Sequence, residues 1–300
     1  MKSTLLTLLA VIAFAASPAS AKLKIVTTTP DFADLARQIG GDRVEVHSVM
    51  KGPENVHNVL ASPPEMVKLN QADLFVHSGL DTEPWRDNLL RGARNPRLAA
   101  GKPGNVDMSA GIELKDVPTG RGDRAQGDMH AYGNPHFTPH PLNAQRMTAT
   151  LAKAMIAVDP PNADLYTQNA KKLVNDLADT AKWMKEQMAP FGGLKVVTFH
   201  QAWLYFAESA GLNIVGTIEP KPGITPSAAQ VAQLIATMKA QGVKLVIVET
   251  YNDEKLAARV AEAAGAKLLR LPDHVNGVPE AKSYQELFRY NVGKIVEAAK

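Results

Sequence analysis

The chain has 300 residues, 45% of them hydrophobic and 21% charged, with a formal net charge of +3 and no cysteine. That balance fits a globular protein of one or two domains and excludes a scaffold held together by disulfides. Both signs of charge are interspersed, and no basic stripe with interleaved aromatics offers a grip for nucleic acid.

The chain opens with Met1-Lys2-Ser3, one positive side chain, and then an apolar run over 5–16. That run is shorter than the roughly 20 residues a membrane-spanning helix needs. Ala19-Ser20-Ala21 follows, with the small side chains signal peptidase accepts. The pattern predicts a cleaved secretory signal over 1–21, with the mature chain starting at Lys22. No cysteine stands at the cleavage point to carry a lipid. The expected location is therefore the periplasm of a Gram-negative cell, without a lipid anchor.

Residues 22–27 read as a first strand. Over 31–40, Phe32, Leu35, Ala36 and Ile39 fall on one helical face, and Gly40-Gly41-Asp42 ends the helix. The stretch 44–50 alternates as a second strand. Pro63-Pro64 opens a helix running through Asn70, since proline suits a first turn, and 73–77 is a third strand. Strands alternating with helices predict a parallel sheet. Residues 102–141 break this pattern, and 118–130 is its most polar part, expected as a surface loop.

From Leu142 the chain is helical. Pro160-Pro161 interrupts it, and 162–187 then runs without proline or glycine, which is about 39 Å of helix at 1.5 Å per residue. A second alternating half follows: strands over 195–198, 213–216, 244–248 and 267–271, and helices over 202–210, 227–241, 253–264 and 283–299. The expected architecture is α/β, two similar β/α lobes with parallel-type sheets joined by one long rigid helix. The lobes span 22–160 and 190–300, and the linking helix 161–189.

His57, His136, His200 and Asp273 carry the expected chemistry. His57 ends Gly52-Pro53-Glu54-Asn55-Val56-His57, and His136 ends Gly133-Asn134-Pro135-His136. His200 and Asp273 each follow directly on a predicted strand. Ligands of open α/β sheets sit outside the carboxyl ends of the strands, so these positions converge on the cleft between lobes. Three imidazoles and a carboxylate make a complete shell for one Zn²⁺-like ion. A saturated shell leaves no open position for a reacting substrate, which points away from an enzyme.

These stretches resemble the metal-binding receptors of bacterial ABC importers for zinc and manganese, the cluster A-I solute-binding proteins. The resemblance runs over the whole mature chain. It rests on Lys24-Ile25-Val26-Thr27-Thr28 with Asp34-Leu35, on 52–64 with His57, on Ser78-Gly79-Leu80 with Glu83 and Trp85, on Pro135-His136, and on 196–202 with His200. Asp273 falls where the family has its fourth ligand. Two departures stand out. Asn134-Pro135-His136 replaces the common Asp-Pro-His, and the loop before the second ligand is poor in histidine, holding Asp116, Asp123, Asp128 and His130. His140 is a candidate for an outer role at the site.

Manganese-binding relatives tend to have a carboxylate at the third ligand position, so His200 implies zinc, with manganese bound more weakly. The implied function is capture of periplasmic Zn²⁺ for an ABC permease at the inner membrane. A periplasmic zinc metallochaperone is a further possible partner; nucleic acid is not, and the chain is expected to be monomeric. The alternatives are a manganese-preferring receptor of the same type and a zinc hydrolase. HExxH is absent, and a fourth ligand would close a hydrolase site. Glu249, Glu208 and His274 are expected to orient ligands from outside. Arg121-Gly122-Asp123 hints at an adhesin, a weak signal at three residues.

Overall fold

The computed structural model describes residues 21–118, 130–219, 221 and 223–300. The expected secretory segment lies outside the described residues except at Ala21, as do Arg121-Gly122-Asp123 and Asp128. Among the described residues, no helix is long and apolar enough to cross a membrane.

The first half runs β1 (Leu23–Thr27), α1 (Pro30–Gly40), β2 (Val44–Ser48), α2 (Pro63–Asn70), β3 (Leu74–His77), α3 (Arg86–Ala93) and β4 (Asn105–Asp107). Two of these were not anticipated. α3 buries only Leu89 and Ala93, too few apolar positions to show a period. β4 is three residues long, with Val106 alone buried. The stretch over 102–141 is thus not merely a break: it supplies an edge strand, and Met108, Ile112 and Phe137 are in the core.

α4 (Pro141–Val158) and α5 (Ala163–Met188) follow, then β5 (Lys195–Thr198), α6 (Leu204–Ala210), β6 (Asn213–Thr217), α7 (Ala228–Gln241), β7 (Leu245–Glu249), α8 (Glu254–Ala264), β8 (Lys267–Leu271) and α9 (Tyr284–Ala299). Three helices begin one residue later than their sequence pattern. Ser227, Asp253 and Ser283 are N-caps, whose side chains accept from Gln230, Lys255 and Glu286 backbone N–H. A capping residue has extended rather than helical backbone.

Each half forms a four-stranded, wholly parallel sheet, ordered β2-β1-β3-β4 and β6-β5-β7-β8. The two lobes thus share one topology. Strand alternation explains how they pack. Ile25, Leu74, Val76, Val196, Leu245 and Ile247 face one continuous core that includes Tyr166, Leu173, Leu177 and Met184 of α5. Their neighbours in the chain face the opposite side of each sheet, where the apolar ones are buried. Val26 and Phe75 pack under α3 with Trp85 and Leu89, and Val197, Val246 and Val248 pack under α7 and α8 with Met238 and Val260. The long helix α5 is therefore a shared wall of both lobes.

The segment between β8 and α9 crosses back to the first lobe. His274 pairs with Asp31, Val275 N–H donates to Asp31 Oδ1 at 3.1 Å, and Tyr284 N–H donates to Asp34 Oδ2 at 2.9 Å. Gly52 lies so close that a Cβ there would sit 2.0 Å from the Asn276 carbonyl carbon. Only glycine permits that approach.

Candidate metal centre

His57 stands on a short 3₁₀ turn between β2 and α2. Asn55 shapes it by accepting from the His57 backbone N–H at 2.9 Å. Trp85 Nε1 donates to the Val56 carbonyl at 2.7 Å and ties the turn to the lobe beneath. The ring is oriented by Nδ1, which donates to the Thr82 carbonyl at 2.9 Å. That fixes the proton on Nδ1 and leaves Nε2 with its lone pair.

His136 is presented by the segment after β4. Asn134 accepts from His136 N–H through Oδ1 at 3.0 Å, and its Nδ2 donates to the Gln201 carbonyl of the second lobe at 3.0 Å. An aspartate could do the first but not the second, so Asn134 here also bridges the lobes. Tyr205 hydroxyl donates to the Asn134 carbonyl at 3.0 Å. Gly133 enables the turn, at φ 112° with its hypothetical Cβ 2.8 Å from the Lys115 carbonyl oxygen.

His200 follows β5, and its Nδ1 donates to Glu219 Oε2 at 2.8 Å. A carboxylate behind an imidazole is the arrangement that orients metal-binding histidines. Sequence reading missed Glu219. It lies on the β6–α7 connection, 19 residues beyond His200, and no local pattern links the two. Of the residues expected in that orienting role, Glu249 is instead held by Trp203 Nε1 and Asn252 Nδ2. Glu208 pairs with Lys115 at 2.9 Å. His274 pairs with Asp31, and its Nε2 lies 3.7 Å from Asp273 Oδ2. His140 caps α4 through Nδ1 and stands apart from the cluster.

The structure brings His57, His136 and His200 together, with one nitrogen of each lying within 4.8 Å of the others. His136 Nε2 is 3.4 Å from His57 Nε2 and 3.1 Å from His200 Nε2. Two nitrogens bound tetrahedrally at 2.0–2.1 Å to one ion stand about 3.3 Å apart. The two separations from His136 therefore already match the spacing of ligands around a small cation. Lone pairs of His57 and His200 both face His136, an arrangement that a shared cation would stabilise.

Asp273 is not inside that 4.8 Å cluster. It is buried beside it, at 3% exposure, and its charge acts on His200. Oδ1 is buried with no hydrogen-bond partner, a costly state for a carboxylate oxygen unless a ligand takes it up.

The polar loop reading undervalued His130. Its ring centroid is 5.2 Å from that of His57 and 5.9 Å from that of His136. Nδ1 is 3.0 Å from Asp81 Oδ1, and Nε2 is buried without a partner. Asp81 could not have been singled out from sequence, because its partner lies 49 residues away.

Burial, with charge on His130 and His200, pushes the His57 pKa down to about 3. Burial and neighbouring imidazoles hold His136 well below the usual histidine value. Burial lowers His200 too, but the Glu219 hydrogen bond and nearby carboxylates outweigh it and raise this group. Burial and the Asp273 charge push Glu249 up to about 7.

The family described as ZnuA, zinc-uptake complex component A, periplasmic, matches residues 25–298. The high-affinity zinc uptake system protein ZnuA of Paracoccus denitrificans is 27% identical over 321 residues, covering 95% of this chain and 94% of that protein. The manganese-binding lipoprotein MntA of Bacillus subtilis is 27% identical over 297 residues, covering 95% and 92%. A crystal structure of ZnuA shares the fold at a TM-score of 0.78 and 25% identity, covering 93% of this chain and all of the other.

Proposed function

Because this chain belongs to the ZnuA family of metal-binding solute-binding proteins, which serve ABC importers and are not enzymes, we propose that its own cargo is Zn²⁺. His57, His136 and His200 hold the ion through Nε2, and Asp273 completes the shell through Oδ1. The observation that carries this reading is the convergence of His57 and His200 Nε2 on His136 Nε2, at 3.4 and 3.1 Å, with the protons of His57 and His200 committed elsewhere. A set of three nitrogens and one carboxylate suits four-coordinate zinc, whereas manganese favours more oxygen.

Asp273 moves toward the imidazoles when the ion arrives, closing the shell from the second lobe. The lobes, 22–160 and 190–300, act as jaws tied by the helix over 161–189. The chain works in the periplasm as a monomer, after removal of residues 1–21 and without a lipid anchor. It releases zinc to an inner-membrane permease.

Calorimetric titration of the metal-free protein with zinc and with manganese tests the assignment. Zinc is expected to bind at least ~100-fold more tightly than manganese. Tighter manganese would make the chain a manganese receptor, like the manganese-binding lipoprotein MntA. Metal content after purification from periplasm without chelator or nickel resin is a second check, with zinc expected near one equivalent.

A further inference from the structure

The two oxygens of Asp273 keep different company. Oδ2 accepts from the Tyr251 hydroxyl at 3.2 Å and lies 3.7 Å from His274 Nε2. Oδ1 is buried and has no partner. Tyr251 stands on the loop after β7 and also lines a pocket of about 500 Å³ with Lys51, Asn55 and Leu60 of the first lobe. The tyrosine thus sits at the seam of the lobes, with its hydroxyl turned to the carboxylate.

We propose that Tyr251 sets the metal preference of the site: by occupying Asp273 Oδ2, its hydroxyl leaves the carboxylate a single oxygen with which to bind an ion. This rests on the reading of Asp273 as the fourth ligand. One oxygen and three imidazole nitrogens make four donors, which satisfies zinc. Manganese and other oxygen-preferring cations favour octahedral or larger shells. A carboxylate turning both oxygens to the ion would add the fifth donor such cations seek.

Two other carboxylates whose charge acts on His200 already have hydrogen-bonded oxygens. Glu249 Oε1 accepts from Trp203 Nε1 at 2.8 Å and Oε2 from Asn252 Nδ2 at 2.7 Å. Glu219 Oε2 accepts from His200 Nδ1. Asp273 itself can add a second donor only through Oδ2, and that oxygen is the one Tyr251 holds. Discrimination of this kind works by withholding a donor from the wrong ion rather than by adding one for the right ion.

The test is Tyr251→Phe in the full mature chain, with zinc and manganese affinities measured by competition against chelators. The ratio of zinc to manganese affinity is expected to fall at least ~10-fold, with manganese binding tighter in absolute terms. An unchanged ratio, or equal weakening of both metals, overturns the proposal. Asp273→Asn separates the two layers. If it weakens zinc while Tyr251→Phe leaves the ratio alone, only the role of Tyr251 fails. If Asp273→Asn leaves zinc affinity unchanged, the fourth-ligand reading fails and this inference with it. Infrared spectra of the zinc-loaded native protein, with aspartate isotopically labelled, give a check that does not depend on the Tyr251→Phe variant folding. A monodentate splitting of the Asp273 carboxylate bands, assigned by comparison with Asp273→Asn, is expected; a bidentate splitting refutes the proposal.

Discussion

His57 and His200 each spend Nδ1 on a fixed acceptor, the Thr82 carbonyl and the Glu219 carboxylate. Their Nε2 lone pairs are therefore aimed before any ion arrives. Truncating a ligand removes a bond, whereas truncating an orienting group only loosens one. His57→Ala, His136→Ala and His200→Ala are each expected to weaken zinc binding by more than ~100-fold. Glu219→Gln should fall within the roughly 10–100-fold range typical of an orienting partner. Competition titration would rank them, and a Glu219→Gln loss equal to that of His200→Ala would contradict the distinction. Acid adds a second test. Burial pushes His57 down to about 3 and holds His136 well below the usual value, so both favour the neutral form that binds metal. Burial lowers His200, but Glu219 and nearby carboxylates raise it overall, so it alone among the three must surrender a proton to the metal. Zinc affinity is thus expected to be level above the raised His200 value and to fall as pH drops through it. The slope should be near one proton, in a window above the roughly 6.5 of a free histidine. Glu249, pushed up to about 7 by burial, is one of the carboxylates that raise His200, so Glu249→Gln is expected to shift this fall to lower pH. A slope of three protons centred on the free-histidine value would refute this order.

The ligand loops are short elements clamped by contacts from elsewhere. The turn carrying His57 is pinned by Trp85 and shaped by Asn55, and the segment carrying His136 is tied to the second lobe through Asn134. Gly52 begins the first of these loops against the backbone of Asn276 and Gly277. A methyl group there meets backbone rather than a flexible side chain, so the seam must open. Gly52→Ala is expected to destabilise the fold by about 1–3 kcal/mol or more, the range for overpacking. It should also weaken zinc binding, because it pushes apart the two segments that carry His57 and Asp273. Denaturant unfolding monitored by circular dichroism reads the first effect. A midpoint unchanged from the parent chain would show that the seam is looser than these contacts imply.

At the scale of the molecule, α5 serves as a wall of both lobes, and the β8–α9 segment binds the second lobe to the first through Asp31 and Asp34. Large hinge opening would break a continuous core, so capture and release are expected to rely on small movements of loops. Under the proposed assignment, with the ion held by residues of both lobes, zinc stabilises the whole chain by mass action. At a free zinc concentration 1,000 times the dissociation constant the gain is about 4 kcal/mol. The thermal midpoint should rise in a single cooperative step and return on adding a chelator. Two separate transitions, with only one shifted by zinc, would show that the lobes unfold independently and that the ion does not bridge them.

Local periodicity was enough to read the alternation of strands and helices, the parallel sheets and the long helix, because apolar spacing is written within a dozen residues. It failed for α3 and β4, where one or two buried side chains make no period. His57, His136 and His200 were legible as candidates from their places at strand ends and from family resemblance. Their meeting was not: His57 and His136 are 79 residues apart, and His136 and His200 are 64 apart. Only the packing of two lobes on one helix brings them within reach. The same holds for Glu219 behind His200, for His130 against His57, for Asp273 standing just outside the imidazole cluster, and for the hydroxyl of Tyr251 on its Oδ2. Each is a contact between segments with no shared local pattern, and burial decides both which partners meet and which oxygen is left over.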